Sequence, residues 1–243
     1  HTRDQAGSTQ ICGSFFVRLP EGQKLTAARI FVPVRSAGVQ FSGANAHLVI
    51  RNITATHPYN DGFNIHGDCR DVVFENIRAI ECGDDGISAH ESAEYRVDGL
   101  VSIGNSTGIT DTGTAKTTYR RVFLADNLAF DLYFLNDGRY AVSDAVVIST
   151  SEHALQVVAG KGQHSELRLD NVLIHREGPN GSAAVAKDAM LFARRFTLEG
   201  DELKAVGKVE TDGIPAERRA LIEVSCGILL LLLRRSLGSI RKG

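Results

Sequence analysis

The fold is indicated by one six-residue pattern that occurs three times at intervals of 24 residues: Ala37–Ser42 (AGVQFS), Asp61–His66 (DGFNIH) and Asp85–His90 (DGISAH). The three segments align a glycine, followed by two apolar residues that are separated by one polar residue. Apolar residues at every second position are typical of a β-strand, because successive side chains of a strand point to opposite faces. A repeat of this length, within the range of about 20–50 residues, indicates a solenoid whose repeats bury their apolar faces by stacking.

A second strand is predicted in each repeat, at Leu48–Ala55, Val72–Ala79, Arg96–Ser102, Tyr119–Ala125 and Leu167–Leu173. Asn52 and Asn76 occupy equivalent positions at a turn, and Asn171 is a later counterpart. Asparagine tolerates the left-handed backbone that a sharp corner needs, so we predict that Asn52 lies near Asn76 at one corner. Asn52 and Asn105 also begin glycosylation motifs, but the repetition of Asn52 favours a structural role for it.

These patterns predict an all-β fold, a single-stranded right-handed parallel β-helix that spans residues 1–225 as one domain. A chain of this length holds on the order of ten coils at the observed period. The 24 glycines and the absence of tryptophan agree with this prediction. Residues 183–195 are compatible with one helix or with a last irregular coil.

The segment 226–243 is a separate apolar and basic tail, in which Ile228–Leu233 precedes Arg234 and Arg235. This apolar run is shorter than the ~20 residues needed to cross a bilayer. We therefore expect a terminal helix or a hydrophobic cap on the open end of the coil, or a non-native tail, in preference to a membrane anchor.

Charge and cysteine content exclude some classes of function. The formal net charge is −2 and acids and bases are interspersed, so the basic stripe expected of a nucleic-acid-binding protein is missing. The four cysteines show no metal-binding spacing, and we expect buried free thiols and no resident metal. No signal-peptide pattern follows His1, and we expect a secreted or cell-envelope protein whose signal peptide is not part of this sequence.

A cluster of ionisable side chains is predicted on neighbouring coils. The period places Asp61 and Asp85 at the same corner, and Asp84 lies beside Asp85. Carboxylates one coil apart cannot all ionise freely, so at least one should keep its proton to a higher pH. Since glycoside hydrolysis requires an acid beside a base, we predict these three aspartates as catalytic residues.

Four further polar side chains alternate with the apolar residues of the second and third patterns. They should point outward along one strip of the surface, where we predict that they bind substrate: Asn64, His66, Ser88 and His90.

Two short motifs, Asn60–Ile65 (NDGFNI) and Gly83–Ile87 (GDDGI), resemble those of the polygalacturonases within the pectate-lyase-like superfamily. The resemblance covers about residues 38–130 and implies a polysaccharide or oligosaccharide substrate that is cleaved with inversion. It implies that Asp61 and Asp85 activate water and that Asp84 is the general acid. The family's Gly-His-Gly motif is replaced here by Ile103–Gly108 (IGNSTG), and its Arg-Ile-Lys motif has no clear counterpart.

Two other functions fit the same residues. A uronate lyase or C5-epimerase would use His66 and His90 as bases, with calcium bound by the carboxylates. A non-catalytic β-helix would bind a glycan or serve as a surface structure. The hydrolase itself needs no cofactor.

Overall fold

The computed structural model describes residues 34–177 and 181–212, the strand residues Thr2–Arg3 and Thr9–Gln10, and four further positions: Glu21, Gly22, Lys24 and Thr26. The chain divides into two compact units, His1–Val32 and Pro33–Gly243. In the first unit, β1 (Thr2–Arg3) pairs antiparallel with β2 (Thr9–Gln10).

The second unit contains a parallel β-helix, which confirms the predicted fold class. The described residues form about seven turns, against the roughly ten coils expected from the length of the chain. Eight strands form sheet 1: β3 (Val39–Phe41), β6 (Phe63–Ile65), β8 (Asp85–Ala89), β10 (Thr107–Asp111), β12 (Phe130–Leu135), β14 (His153–Val158), β16 (Ser182–Val185) and β18 (Leu203–Ala205). Nine strands form sheet 2: β4 (Asn45–Arg51), β5 (Thr54–Thr56), β7 (Cys69–Ile80), β9 (Glu94–Ile103), β11 (Lys116–Ala125), β13 (Arg139–Ser149), β15 (Glu166–Arg176), β17 (Met190–Glu199) and β19 (Lys208–Thr211).

The core is built by apolar residues that stack in register from coil to coil. Val39 pairs with Phe63, and Phe63 pairs with Ile87, which confirms the predicted alignment of the repeats. The repeated glycines are explained by crowding at the corner before sheet 1. A Cβ at Gly62 would lie 2.6 Å from the carbonyl oxygen of Gly86, and one at Gly86 would lie 2.6 Å from that of Gly108. A side chain at these positions would push the coils apart.

Left-handed residues form the corner in the middle of sheet 2. Asn52, Asn76 and Asn171 have φ values of 57°, 51° and 59°. The amide of Asn76 donates a hydrogen bond to Oδ1 of Asn52 at 3.4 Å, which confirms the predicted contact. The other coils place Gly99, Arg121, Asp144 and Arg195 in the same row, also with positive φ. The corner therefore requires a left-handed backbone more strictly than it requires asparagine.

Asn105 has a different role from Asn52. Its side chain is buried, and its Oδ1 accepts a hydrogen bond from the backbone N–H of Cys82 at 2.8 Å. Its amide donates to Ser102 Oγ at 2.8 Å. The glycosylation motif at Asn105 is thus inaccessible in this fold.

The helix considered for residues 183–195 is wrong, and the segment forms a coil of the β-helix, as the alternative held. It is not the last coil, because β18 and β19 stack on it. The segment contributes β16 and the start of β17, because Leu191 and Ala193 alternate inward and pair with Leu167 and Leu169. Within the described residues, no helix is both long and apolar enough to span a membrane. The tail 226–243, Cys12 and Cys226 lie outside the described residues.

Cys69 and Cys82 are buried free thiols, as predicted. Burial raises the pKa of the Cys69 thiol to about 11, and that of Cys82 to about 12. The thiolate form of either residue is therefore disfavoured at neutral pH.

Replacing Phe63 by alanine should destabilise the β-helix by about 3–5 kcal/mol. Phe63 is 0% exposed, and its ring packs edge-on against Phe74 at 6.0 Å, so truncation leaves a cavity in the stack. The free energy of unfolding is measured by urea denaturation. The control Leu128→Ala, at a side chain that is 70% exposed, should change it by less than about 0.5 kcal/mol. Equal effects of the two changes would contradict the proposed core.

Candidate active site

The carboxyl group of Asp61 connects two coils. It lies just before β6 and is 2% exposed. It accepts a hydrogen bond from the backbone N–H of Asp85 at 3.2 Å and another from Ser88 Oγ at 2.7 Å. Residues of the second and third repeats therefore meet as predicted, and we call Asp61, Asp84 and Asp85 the acidic cluster.

Asp85 has the most strongly perturbed carboxyl group of the acidic cluster. Burial raises its pKa to about 8, and the nearby negative charges of Asp61 and Asp84 contribute to the increase. A hydrogen bond from Thr110 Oγ1, at 2.9 Å, favours the charged form and only partly offsets this effect. Asp85 is 9% exposed, whereas its neighbour Asp84 is exposed to solvent. Of the three aspartates, Asp85 is therefore the one whose surroundings most strongly favour the protonated form.

Asp61 is perturbed in the same direction. Burial raises the pKa of its carboxyl above the ordinary value of 3.8, while the hydrogen bonds from Ser88 and Asp85 lower it. The prediction that crowded carboxylates keep a proton to a higher pH thus agrees with the geometry of the acidic cluster.

Asn64 and Ser88 are nearly buried, and the expectation that they are solvent-exposed is wrong. The two residues pair in register and alternate with the core residues, so they face away from the interior as predicted. Ser88 is covered because its hydroxyl lies between Asp61 and the ring of His90, whose Nε2 is 3.2 Å away. Asn64 is 5% exposed, and its Oδ1 has no hydrogen-bond partner in the described part of the chain.

His66 and His90 lie beside this strip as a stacked pair. Their ring centroids are 4.0 Å apart and their planes differ by 3°. Burial lowers the pKa of His90, and the neighbouring His66 lowers it further. His66 Nδ1 contacts Glu91 Oε1 at 3.1 Å. Glu91 also accepts a hydrogen bond from the backbone N–H of Gly67 at 2.8 Å, which lowers the pKa of its carboxyl.

Three rings continue the outer face of sheet 1 beyond the acidic cluster. Phe130 shares a row with Asp85, and Tyr133 shares a row with Ser88. The Phe130 ring stacks on Tyr133 at 4.1 Å and on His153 at 4.8 Å. All three side chains are partly exposed, and we call them the aromatic strip.

Sequence reasoning missed Glu91, Thr110 and the place of His153 in the aromatic strip, and it did not separate Phe130 and Tyr133 from the aromatic residues of the core. Thr110 follows Gly108 in the fourth repeat and aligns with Ser88 in the third. This alignment was the sequence signal that could have placed Thr110 near Asp85. Glu91 lies one residue after the third pattern, and its contact with the preceding coil follows from the local turn.

A calcium site finds no support in the described residues. No three side chains of the histidine, cysteine, aspartate or glutamate type come together there in a way that could hold a metal ion.

Comparisons with protein-family models, with curated proteins and with solved structures find no match for this chain. The resemblance to polygalacturonases therefore rests on the two motifs around Asp61 and Asp85.

Titration of Asp85 should make the β-helix less stable as pH rises. A carboxyl whose pKa is about 8 in the folded chain and 3.8 in the reference state binds more protons when folded between these values. The free energy of unfolding should therefore fall with rising pH in this window, by at most about 1.4 kcal/mol per pH unit for this group. Asp85→Asn should remove this contribution, so the variant gains stability relative to the parent as pH increases.

The measurement is urea denaturation of both proteins from pH 4 to pH 8. The exposed Asp188→Asn variant is the control and should follow the parent at every pH. A parallel pH dependence for Asp85→Asn and the parent would show that Asp85 titrates in its ordinary range.

Proposed function

We propose that the protein hydrolyses glycosidic bonds of a polysaccharide or oligosaccharide at the acidic cluster. The observation that carries this proposal is the pairing of a nearly buried carboxyl, Asp85, with an exposed one, Asp84, beside the buried Asp61. Two carboxyl groups in unlike environments are what an acid–base pair requires at one pH. The aromatic strip on the same face adds a surface on which a sugar ring can pack.

The environments of the three aspartates favour catalytic roles that differ from those implied by the resemblance to polygalacturonases. Asp85 is the better general acid, because burial and two neighbouring carboxyl groups raise its pKa and favour its protonated form. Asp84 is accessible to water and is the better general base. Asp61 accepts hydrogen bonds from Ser88 and Asp85 and acts on the reaction through Asp85, so it is a positioning residue.

In the proposed reaction, Asp85 donates its proton to the glycosidic oxygen as the bond to the anomeric carbon breaks. Asp84 removes a proton from a water molecule that attacks that carbon from the opposite face, which inverts its configuration. The products are two shorter glycans, and proton exchange with solvent restores both carboxyl groups. No cofactor takes part. We further propose a secreted or cell-envelope location, where such polymers occur.

A lyase or epimerase is the second candidate, and the stacked pair of His66 and His90 favours it. Because the pKa of His90 is lowered, its imidazole stays neutral and can accept a proton at neutral pH. Such an enzyme must also neutralise the carboxylate of a uronate, and the nearby side chains of Asp61, Asp84 and Asp85 are themselves acidic. The hydrolase is therefore the better proposal.

Asp85→Asn should lower the rate of glycan hydrolysis by about 10²–10⁴, because it removes the proton donor while keeping the size of the side chain. The loss should be smaller on an aryl glycoside whose leaving group needs no protonation. Asp84→Asn should lower the rate on all substrates alike. Release of reducing ends from a broad glycan panel measures all of these rates, and Asp188→Asn is the matched control with an expected rate equal to that of the parent.

The alternatives give different results in the same assay. A lyase would release an unsaturated product that absorbs ultraviolet light. If such a product appears, and if activity is lost in His66→Ala or His90→Ala but kept in Asp85→Asn, the protein is a lyase and the hydrolase proposal is wrong. Release of no product from any glycan in the panel would refute catalysis and leave the non-catalytic β-helix.

A further inference from the structure

Charge is distributed unequally between the two sheets of the β-helix. Among the described strands of sheet 1, Lys204 in the last strand is the single lysine or arginine. Sheet 2 carries many basic residues, and several are paired with acids of the adjacent coil. Arg121 contacts Asp98 at 2.6 Å, and Arg195 contacts Asp170 at 2.6 Å. Within the described strands, the outer face of sheet 1 therefore offers carboxyl, hydroxyl, amide, imidazole and aromatic groups, and its first seven strands carry no lysine or arginine.

This composition determines which glycans sheet 1 can accept. A uronate polymer brings one carboxylate on each sugar, and each carboxylate needs a cation or several donors to offset its loss of hydration. The acidic cluster would instead repel it. A neutral glycan carries hydroxyl groups, which donate to carboxylates and amide oxygens without this penalty.

Asn64 provides an independent indication of a ligand. Its side chain is more than nine-tenths buried, yet its Oδ1 has no hydrogen-bond partner in the described part of the chain. It lies in register with Ser88, which bonds to Asp61 in the acidic cluster. A buried acceptor without a donor costs about 1–3 kcal/mol, and a sugar hydroxyl placed here would remove that cost.

Tyr133 lies on the same row as Asn64, three coils further along. At ~4.8 Å per coil the two residues are ~14 Å apart, which is the length of a short oligosaccharide. The acidic cluster lies near the Asn64 end, and the aromatic strip begins at the Tyr133 end. The apolar face of a sugar ring can pack on the partly exposed rings of Phe130 and Tyr133.

We propose that the outer face of sheet 1 binds a neutral oligosaccharide that runs across the coils from Asn64 to the aromatic strip. A sugar hydroxyl donates to Asn64 Oδ1, and a second sugar packs on Tyr133. On this path, the glycan passes the acidic cluster near its contact with Asn64. This inference rests on the proposed function for the position of the cleaved bond, and it names the substrate class: a neutral glycan and not a polygalacturonate.

The test is calorimetric titration of the parent and of Asp85→Asn with oligosaccharides of equal length. The probes are neutral oligomers of xylose, mannose, glucose and galactose, together with oligogalacturonate. At least one neutral oligomer should bind both proteins, and oligogalacturonate should bind at least about tenfold more weakly. With the neutral oligomer, Tyr133→Leu should lower the affinity about tenfold, and Asn64→Ala about three- to tenfold.

Phe192→Leu is the matched control, because Phe192 is a partly exposed aromatic residue on sheet 2 whose ring contacts Arg168 and Lys208. Its affinity should equal that of the parent. Circular dichroism shows whether each variant is folded, and Tyr133→Phe, which keeps the ring, should retain binding. Tighter binding of oligogalacturonate, no binding of any neutral oligomer, or equal affinity of Tyr133→Leu and the parent would each overturn the inference.

The two proposals fail in different ways. Binding of a neutral oligomer that the parent never cleaves would refute hydrolysis and support the present inference. Cleavage of polygalacturonate alone, at a rate that Asp85→Asn lowers, would support hydrolysis and refute the neutral substrate.

Discussion

In-register stacking of parallel strands is the constraint on which the rest of this structure depends. Each coil hydrogen-bonds to the coils before and after it, so equivalent residues are held ~4.8 Å apart along the axis. A residue's place in the repeat thus determines both its direction and its neighbours. This is why aspartates that are 24 residues apart in sequence share a hydrogen bond, as Asp61 and Asp85 do.

The same constraint places some polar groups inside the coil, where each must find partners. Asp111 is fully buried and accepts hydrogen bonds from Tyr119, Thr117 and the backbone N–H of Ala89. Burial nevertheless raises the pKa of its carboxyl to about 7. Asp131 is likewise buried and bonds to Asn127 and Ser151. These networks are internally satisfied, whereas the acidic cluster combines buried carboxyl groups with the exposed Asp84. That contrast distinguishes a candidate site from a structural network.

Much of the fold could be predicted from the sequence, because period and alternation are local signals. The 24-residue step fixed the alignment of Phe63 with Ile87, and the repeated asparagines predicted the contact of Asn52 with Asn76. Residues 183–195 were ambiguous, since their small apolar side chains suit a helix as well as a coil. Only the register with the preceding coil, in which Leu191 pairs with Leu167, decides between them.

The site was less predictable, because burial and pKa depend on contacts between coils. The 24-residue period predicted that Asp61 and Asp85 lie close together, but it did not predict that the side chains of Ser88 and Asn64 would be buried. It did not separate Phe130 and Tyr133, which are partly exposed, from the aromatic residues of the core. The raised pKa of Asp85 follows from burial beside two other carboxyl groups, which no local sequence pattern reports.

The most direct test of this account is a crystal structure of Asp85→Asn with a bound neutral oligosaccharide. The account predicts that the sugar chain lies on the outer face of sheet 1. A glycosidic oxygen should lie within hydrogen-bond distance of the side chain at position 85, and a sugar ring should pack on Tyr133. A saccharide bound instead on sheet 2, with the acidic cluster unoccupied, would contradict it.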